Sequence, residues 1–126
     1  MEYISKKVCH LAESLLIKGE FVSWQRFSIP ALSIPDIEID PMCKKQNDLI
    51  VVEKIIATSI VESYPEKDAS TIYVVEILAA ISNVSFIEEN ELTIVTSKSN
   101  NSYEHSVTFT ICHNSDDSFI LFDVMF

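Results

Sequence analysis

The sequence predicts an α+β fold, with N-terminal helices packed on a four-stranded antiparallel β-meander. Three observations support this prediction: the C-terminal third is rich in β-branched and aromatic residues, polar turn residues interrupt it at short intervals, and the preceding apolar residues follow helical spacing. Links of two to five residues favour antiparallel neighbours, because a parallel return needs a long crossover. The predicted strands are residues 84–87, 92–96, 105–112 and 119–126.

The first helix is predicted near the N-terminus. Apolar residues recur on one stripe at three- and four-residue spacing, and Gly19 stands where a left-handed helix cap is expected, so the helix should end near Lys18. Cys9 and His10 lie inside this helix. Neighbouring helical residues point about 100° apart, so this pair is not expected to act as nucleophile and base.

Residues 20–40 have the character of extended chain. Pro30 and Pro35 push the residues before them out of helical conformation, and residues 37–39 alternate between apolar and acidic. The apolar content indicates that this segment packs on a surface. It either wraps the core of its own domain or leaves an apolar patch for a partner, in which case Trp24 is the expected anchor.

Two further helices are predicted before the sheet. One begins at Asp40–Pro41 or nearer Asn47–Asp48 and ends at Tyr64–Pro65. The other follows Asp68 or Ser70 and is apolar nearly all round to residue 81, which is typical of a central helix. A strand is the alternative for residues 71–75, because they are β-branched. The chain is thus expected to form one domain, mainly helical over 1–83 and antiparallel sheet over 84–126.

The predicted sheet has one clearly packed face. Apolar residues at 107, 109 and 111 alternate with hydroxyl residues at 106, 108 and 110, and His105 on the apolar register is expected to be partly buried. In the last strand both sides are substantially apolar. The second side therefore needs a cover, which could be residues 20–40, a second copy of the chain or a foreign partner.

Charge is the most informative bulk property. The formal net charge is −10, from 19 acidic and 9 basic residues, and residues 64–126 account for −8 of it. An anionic surface repels phosphates, so direct binding of nucleic acid or of an anionic membrane is not expected. A basic protein is the partner that this charge favours.

Cysteine usage and hydropathy indicate a cytoplasmic protein. Cys9, Cys43 and Cys112 are an odd number at wide spacing, which fits neither a disulfide framework nor a CxxC zinc site, so free thiols are expected. The N-terminal segment is charged where a signal peptide would be apolar, and no apolar run reaches the length of a membrane span.

Catalytic and cofactor motifs are not found in the sequence. It contains no GxGxxG, P-loop, HExxH or nucleophile elbow, and a single glycine excludes a glycine-rich phosphate cradle. We therefore predict no catalytic residue, no cofactor and no metal. Cys112 and His113 should face opposite sides of a strand. The alternative is an enzyme whose three histidines meet Glu104 or Asp116 in space.

One cluster follows from the predicted meander. Its first and third turns would lie at the same end of the sheet, so Glu88, Glu89 and Glu91 are expected to join Asp116 and Asp117 on one acidic rim. Carboxylates held together favour a basic partner, which makes these five residues candidates for partner binding. Calcium is a competing interpretation, although the ligand order and central glycine of an EF-hand are missing.

In size, acidity and overall character, with the Glu88–Glu91 and Asp116–Asp117 clusters, the chain resembles the immunity proteins that bacteria pair with secreted toxins, including those of contact-dependent growth inhibition. The resemblance implies that it binds a toxin domain, often a basic nuclease, and blocks its active site. A small acidic secretion chaperone, which would bind a client segment as a homodimer, is the first alternative. The enzyme described above is the second, and monomer and dimer both stay open.

Overall fold

The structure is a computed structural model that describes residues 2–18, 37–40, 50–90 and 92–125. In this part of the chain one α-helix precedes six β-strands, so the class is α+β, as predicted. The elements are α1 (Glu2–Lys18), β1 (Glu38–Ile39), β2 (Ile50–Pro65), β3 (Thr71–Glu89), β4 (Leu92–Lys98), β5 (Tyr103–His113) and β6 (Phe119–Met125).

Helix α1 matches the prediction, including its end at Lys18. Its apolar stripe is buried against β2 and β3, because the same 3.6-residue period that aligns these side chains gives the sheet a continuous apolar surface. The buried residues of the stripe are Val8, Leu11, Ala12, Leu15 and Leu16.

Strand β3 is the centre of the molecule and corrects the predicted helix over residues 71–81. It is 19 residues long and runs without a break from Thr71 to Glu89. Its odd-numbered residues from Tyr73 to Ile81 are buried in the main core, while Val74, Leu78 and Ala80 on the other side are half-buried. A central strand with two apolar faces has no alternation, and it therefore resembles a buried helix in sequence.

Strand β2 corrects the second predicted helix, whose first residues lie outside the described ranges. It is 16 residues long and pairs antiparallel with β3. Three register shifts leave Glu53, Ile56 and Val61 as extra residues. Because each extra residue shifts the alternation by one, the core-facing residues include Val52, Ile55, Thr58 and Ile60. Their spacing of two or three residues resembles one face of a helix.

The link between β2 and β3 reverses the chain without a glycine. Asp68 and Ala69 both have positive φ, of 61° and 62°, inside the short 3₁₀ turn Lys67–Ala69. The amide of Ser70 donates to the carbonyl of Lys67, and the amide of Glu66 donates to the carbonyl of Ser70. Two consecutive left-handed residues match the twist of a β-hairpin, usually with Asn-Gly.

The strand order is β1-β6-β5-β3-β2, with β4 paired to the distal half of β3. The predicted four-stranded meander is wrong, because β5 pairs with residues 71–81 of β3 and not with β4. Strands β4 and β5 are both antiparallel to β3, so the chain keeps its direction through residues 99–102. The predicted hairpins β3–β4 and β5–β6 do form.

Residues 37–40 show how the extended segment ends. β1 pairs parallel with β6, and the amide of Asp40 donates to the carbonyl of Leu121. Ile37 is 5% exposed and belongs to the main core, so this end of the segment wraps its own domain. The rest of the segment, with Trp24, lies outside the described residues. Within the described ranges, no helix is long and apolar enough to cross a bilayer.

Candidate partner-binding face

The structure does not form the predicted acidic rim. Thr71, at the start of β3, pairs with His113, so the β5–β6 turn with Asp116 and Asp117 lies beside that end of β3. Glu88 and Glu89 pair with Thr93 and Leu92 at the other end. Thr71 and Glu88 are 17 residues apart in β3, and an extended strand covers about 55 Å over that distance. Because β4 and β5 run in one direction, the two acidic turns lie at opposite ends of the sheet, and Glu91 is outside the described residues.

The β5–β6 turn holds its two carboxylates through local contacts. Asp116 Oδ1 accepts hydrogen bonds from the Ser118 hydroxyl at 2.6 Å and from the Ser118 amide at 3.1 Å. The hydroxyl contact, followed by the amide contact, lowers the pKa of Asp116 from its ordinary value. Asp117, at φ 68°, lies 2.7 Å from His113 Nε2. These contacts account for the turn without a ligand.

The more substantial surface is the face of the sheet that points away from α1, here called the outer face. Directly opposite residues of neighbouring strands point to the same face of a sheet, so the outer-face residues of β2, β3, β5 and β6 form rows across the strands. Glu62, Val74, Thr110 and Asp123 form one row, about 14 Å long at the usual strand spacing. The next rows are Ser59, Glu76, Thr108 and Met125, then Ala57, Leu78 and Ser106, then Lys54, Ala80 and Glu104.

Acidic and apolar residues alternate on the outer face. Glu62, Glu76 and Glu104 are exposed, and Lys54 is the one basic residue in these rows, so with Asp123 the rows carry a net charge of −3. Val74 and Leu78 are half-buried and lie on either side of Glu76 along β3. Helix α1, the only α-helix of the described residues, packs on the opposite face. The exposed carboxylates Glu62, Glu76 and Glu104 are therefore accessible to a partner with the complementary charge, whereas Ile72 and Cys112, in the next row of the same face, are buried.

Asp123 holds an unsatisfied oxygen atom on the same face. Its Oδ1 atom is buried and has no hydrogen-bond partner among the described residues. An unsatisfied buried oxygen costs about 1–3 kcal/mol, more when it is charged. Thr110, opposite Asp123 in the ladder, does not satisfy it. Because this oxygen has almost no exposed surface, a donor from a partner would reach it only if the Asp123 side chain turned outward.

Exposed apolar side chains continue the surface to the edges of the sheet. Met125 on β6 is 57% exposed and Tyr64 on β2 is 40% exposed, at opposite edges of the face, and the row from Glu62 to Asp123 lies between their rows. The sequence indicated that β6 is apolar on both sides and needs a second cover. It did not indicate Glu62, Glu76 or Glu104 as neighbours, because their rows depend on bulges and on the β3–β5 pairing.

The remaining predicted chemistry is dispersed. His105 is half-buried, as expected, and its ring is edge-on to the ring of Tyr103. His113 lies near the other end of the same strand, β5, and its ring stacks on Phe119 of β6. Cys9 and Cys112 are free thiols, as predicted, whereas Cys43 lies outside the described residues. Burial raises the pKa of both described thiols. No group of three or more His, Cys, Asp or Glu in the described ranges could hold a metal ion.

Comparison with protein-family models, with curated proteins and with solved structures finds no match for this chain.

Proposed function

We propose that this protein is a toxin-neutralising immunity protein, which binds a basic toxin domain and blocks its active site. The observation that carries the proposal is the outer face, where the exposed Glu62, Glu76 and Glu104 lie among half-buried apolar residues on a chain of formal net charge −10. Such a surface attracts a basic protein over long range and gives it apolar side chains to bury.

Asp123 adds specificity to this proposal. If the Asp123 side chain turns outward on binding, a lysine or arginine of the toxin would donate to its Oδ1 atom, and charge-assisted hydrogen bonds of this kind are the stronger ones at interfaces. A basic nuclease would present such residues, because it binds the phosphates of its substrate. The immunity protein would then act in the cytoplasm by occupying the same basic surface.

The predicted carboxylates at the ends of the sheet keep a secondary role in the proposal. Glu89, Asp116 and Asp117 are exposed and would steer a basic partner without forming one contact surface with the outer face. Glu88, Glu91 and Trp24 remain predictions, since their side chains are not described.

The test begins with the gene immediately upstream of this one. The proposal predicts that it encodes a large secreted protein with a toxin-like C-terminal domain. That domain should form a one-to-one complex with the chain in size-exclusion chromatography with light scattering, and should lose its toxic activity in the complex. A stable homodimer that binds an unfolded segment of the same protein would instead indicate a secretion chaperone.

A further inference from the structure

A groove runs between α1 and the edge strand β2 and reaches the sheet edge at residues 58–60. Its volume is about 580 Å³, within the usual range for binding sites. Lys6, Cys9, His10 and Glu13 line one wall, and Thr58 and Ser59 line the other. The groove is open along its length, so it encloses a small molecule poorly and suits an elongated ligand.

The strand wall of the groove is a sheet edge. Within the described residues, β3 is the only strand that pairs with β2. In an antiparallel ladder the backbone groups of alternate residues point away from the partner strand, so an edge strand presents them to solvent. Most of this edge is irregular because of its bulges, which is a common protection against unwanted pairing.

One part of the edge remains regular. Residues 57–60 pair in an unbroken register with Leu78, Ile77, Glu76 and Val75. The bulged residues Ile56 and Val61 lie on either side and are 42% and 55% exposed. The groove lines this same stretch. The edge thus offers a template of about 13 Å for one short strand, with an apolar contact at each end.

From this geometry we propose that the groove binds an extended segment of another protein, which adds to β2 as a strand along residues 57–60. Main-chain hydrogen bonds would hold the segment, and its apolar side chains would cover Ile56 and Val61. The chain carries a net charge of −10, so a basic segment is favoured. A second copy would bring the exposed Glu62 and the same net charge against itself.

The test uses a phage-displayed library of random decapeptides, followed by the best selected peptide in synthetic form. Amide hydrogen exchange is measured on the protein with and without that peptide. We expect two of the four amides at residues 57–60 to exchange at least roughly tenfold more slowly, because alternate residues face outward. The same peptide with N-methyl groups on alternate amides should not bind, since it cannot form the ladder.

A protein variant locates the site independently. His10→Trp fills the groove from an exposed position and should weaken peptide binding at least roughly tenfold, whereas Tyr3→Trp adds the same side chain to the same helix outside the groove and should not. Protection elsewhere, full binding by the N-methylated peptide, or no selected peptide would overturn the proposal. If the amides of residues 57–60 exchange slowly without any peptide, and only at concentrations at which the protein dimerises, the groove binds a second copy of the chain. That result would also overturn the proposal.

Discussion

Replacing Asp123 should reveal a conflict between stability and partner binding on the outer face. Asp123 Oδ1 is buried and has no hydrogen-bond partner in the described part of the chain, and it lies in a strand, where aspartate is an unfavourable residue. Asp123→Val removes the unsatisfied oxygen and places a β-branched side chain beside Thr110. We expect the free energy of unfolding to rise by about 1–3 kcal/mol, the usual cost of an unsatisfied buried polar group.

The assay is urea unfolding followed by circular dichroism, with the midpoint and slope fitted separately. Glu104→Val is the matched control, because it makes the same kind of change on the same face at an exposed carboxylate. Its effect on stability should stay within about 0.5 kcal/mol. In binding, Asp123→Val should weaken capture of a basic toxin domain at least roughly tenfold, since a charge-assisted hydrogen bond is worth about 1.5–3 kcal/mol.

An unchanged or lower stability of Asp123→Val, with an unchanged slope, would show that Oδ1 is satisfied in solution. The argument that this oxygen awaits a donor would then be wrong. If Asp123→Val is more stable and still binds the toxin domain with full affinity, the stability effect is independent of partner binding. Asp123 would then not be part of the interface.

Three further predictions test the fold and its local chemistry. Ala69→Gly should raise the free energy of unfolding by up to about 1 kcal/mol, because glycine tolerates the positive φ of 62° at this position better than alanine does. Ala80→Gly, inside strand β3, should lower the free energy of unfolding by about 0.5–1 kcal/mol. Both values are measured by urea unfolding. Asp116 stabilises the folded state at pH values above its unfolded pKa, and this contribution is lost as pH falls through its lowered folded pKa; Ser118→Ala should raise that pKa in a carboxyl NMR titration. In a Cys9→Ser, Cys43→Ser background, Cys112 should react with iodoacetamide roughly tenfold more slowly in the folded protein than in urea, because it is 3% exposed and burial raises its pKa. A higher free energy of unfolding for Ala80→Gly would contradict the first prediction, and an unchanged Asp116 pKa in Ser118→Ala would contradict the second. Equal alkylation rates of Cys112 in the folded protein and in urea would contradict the third.

The sequence predicts the parts of this fold whose periodicity is undisturbed. Helix α1 and strands β4 to β6 follow simple apolar patterns and are confirmed. The sequence pattern predicts a helix in place of β2 because three bulges stretch the two-residue period of the strand toward the helical period. It predicts a helix in place of the first part of β3 because that strand is apolar on both faces. The hairpin between them was missed because Asp68 and Ala69 take the place of a recognisable Asn-Gly turn.

Much less of the candidate site could be predicted. Sequence placed the acidic turns together because short polar links normally reverse the chain, yet residues 99–102 continue it from β4 into β5. Glu62, Glu76 and Glu104 are far apart in sequence, and only the ladders bring them into neighbouring rows. The expectation that the second side of β6 needs a cover was the one sequence signal that pointed to this face.

The central claim is that the outer face binds a basic toxin domain, and charge neutralisation tests it most directly. The triple variant Glu62→Gln, Glu76→Gln and Glu104→Gln is compared with Glu89→Gln, Asp116→Asn and Asp117→Asn, which removes the same charge from the ends of the sheet. Association of each with the toxin domain encoded upstream is measured by stopped-flow at several salt concentrations.

At about 0.2–1 kcal/mol for each exposed ion pair, the outer-face variant should lose roughly 3- to 150-fold in affinity, largely through slower association and a shallower salt dependence. The end-of-sheet variant should retain most of its affinity. Equal affinity of the outer-face variant and the unmodified protein, with a loss confined to the end-of-sheet variant, would contradict the account and assign binding to the acidic turns.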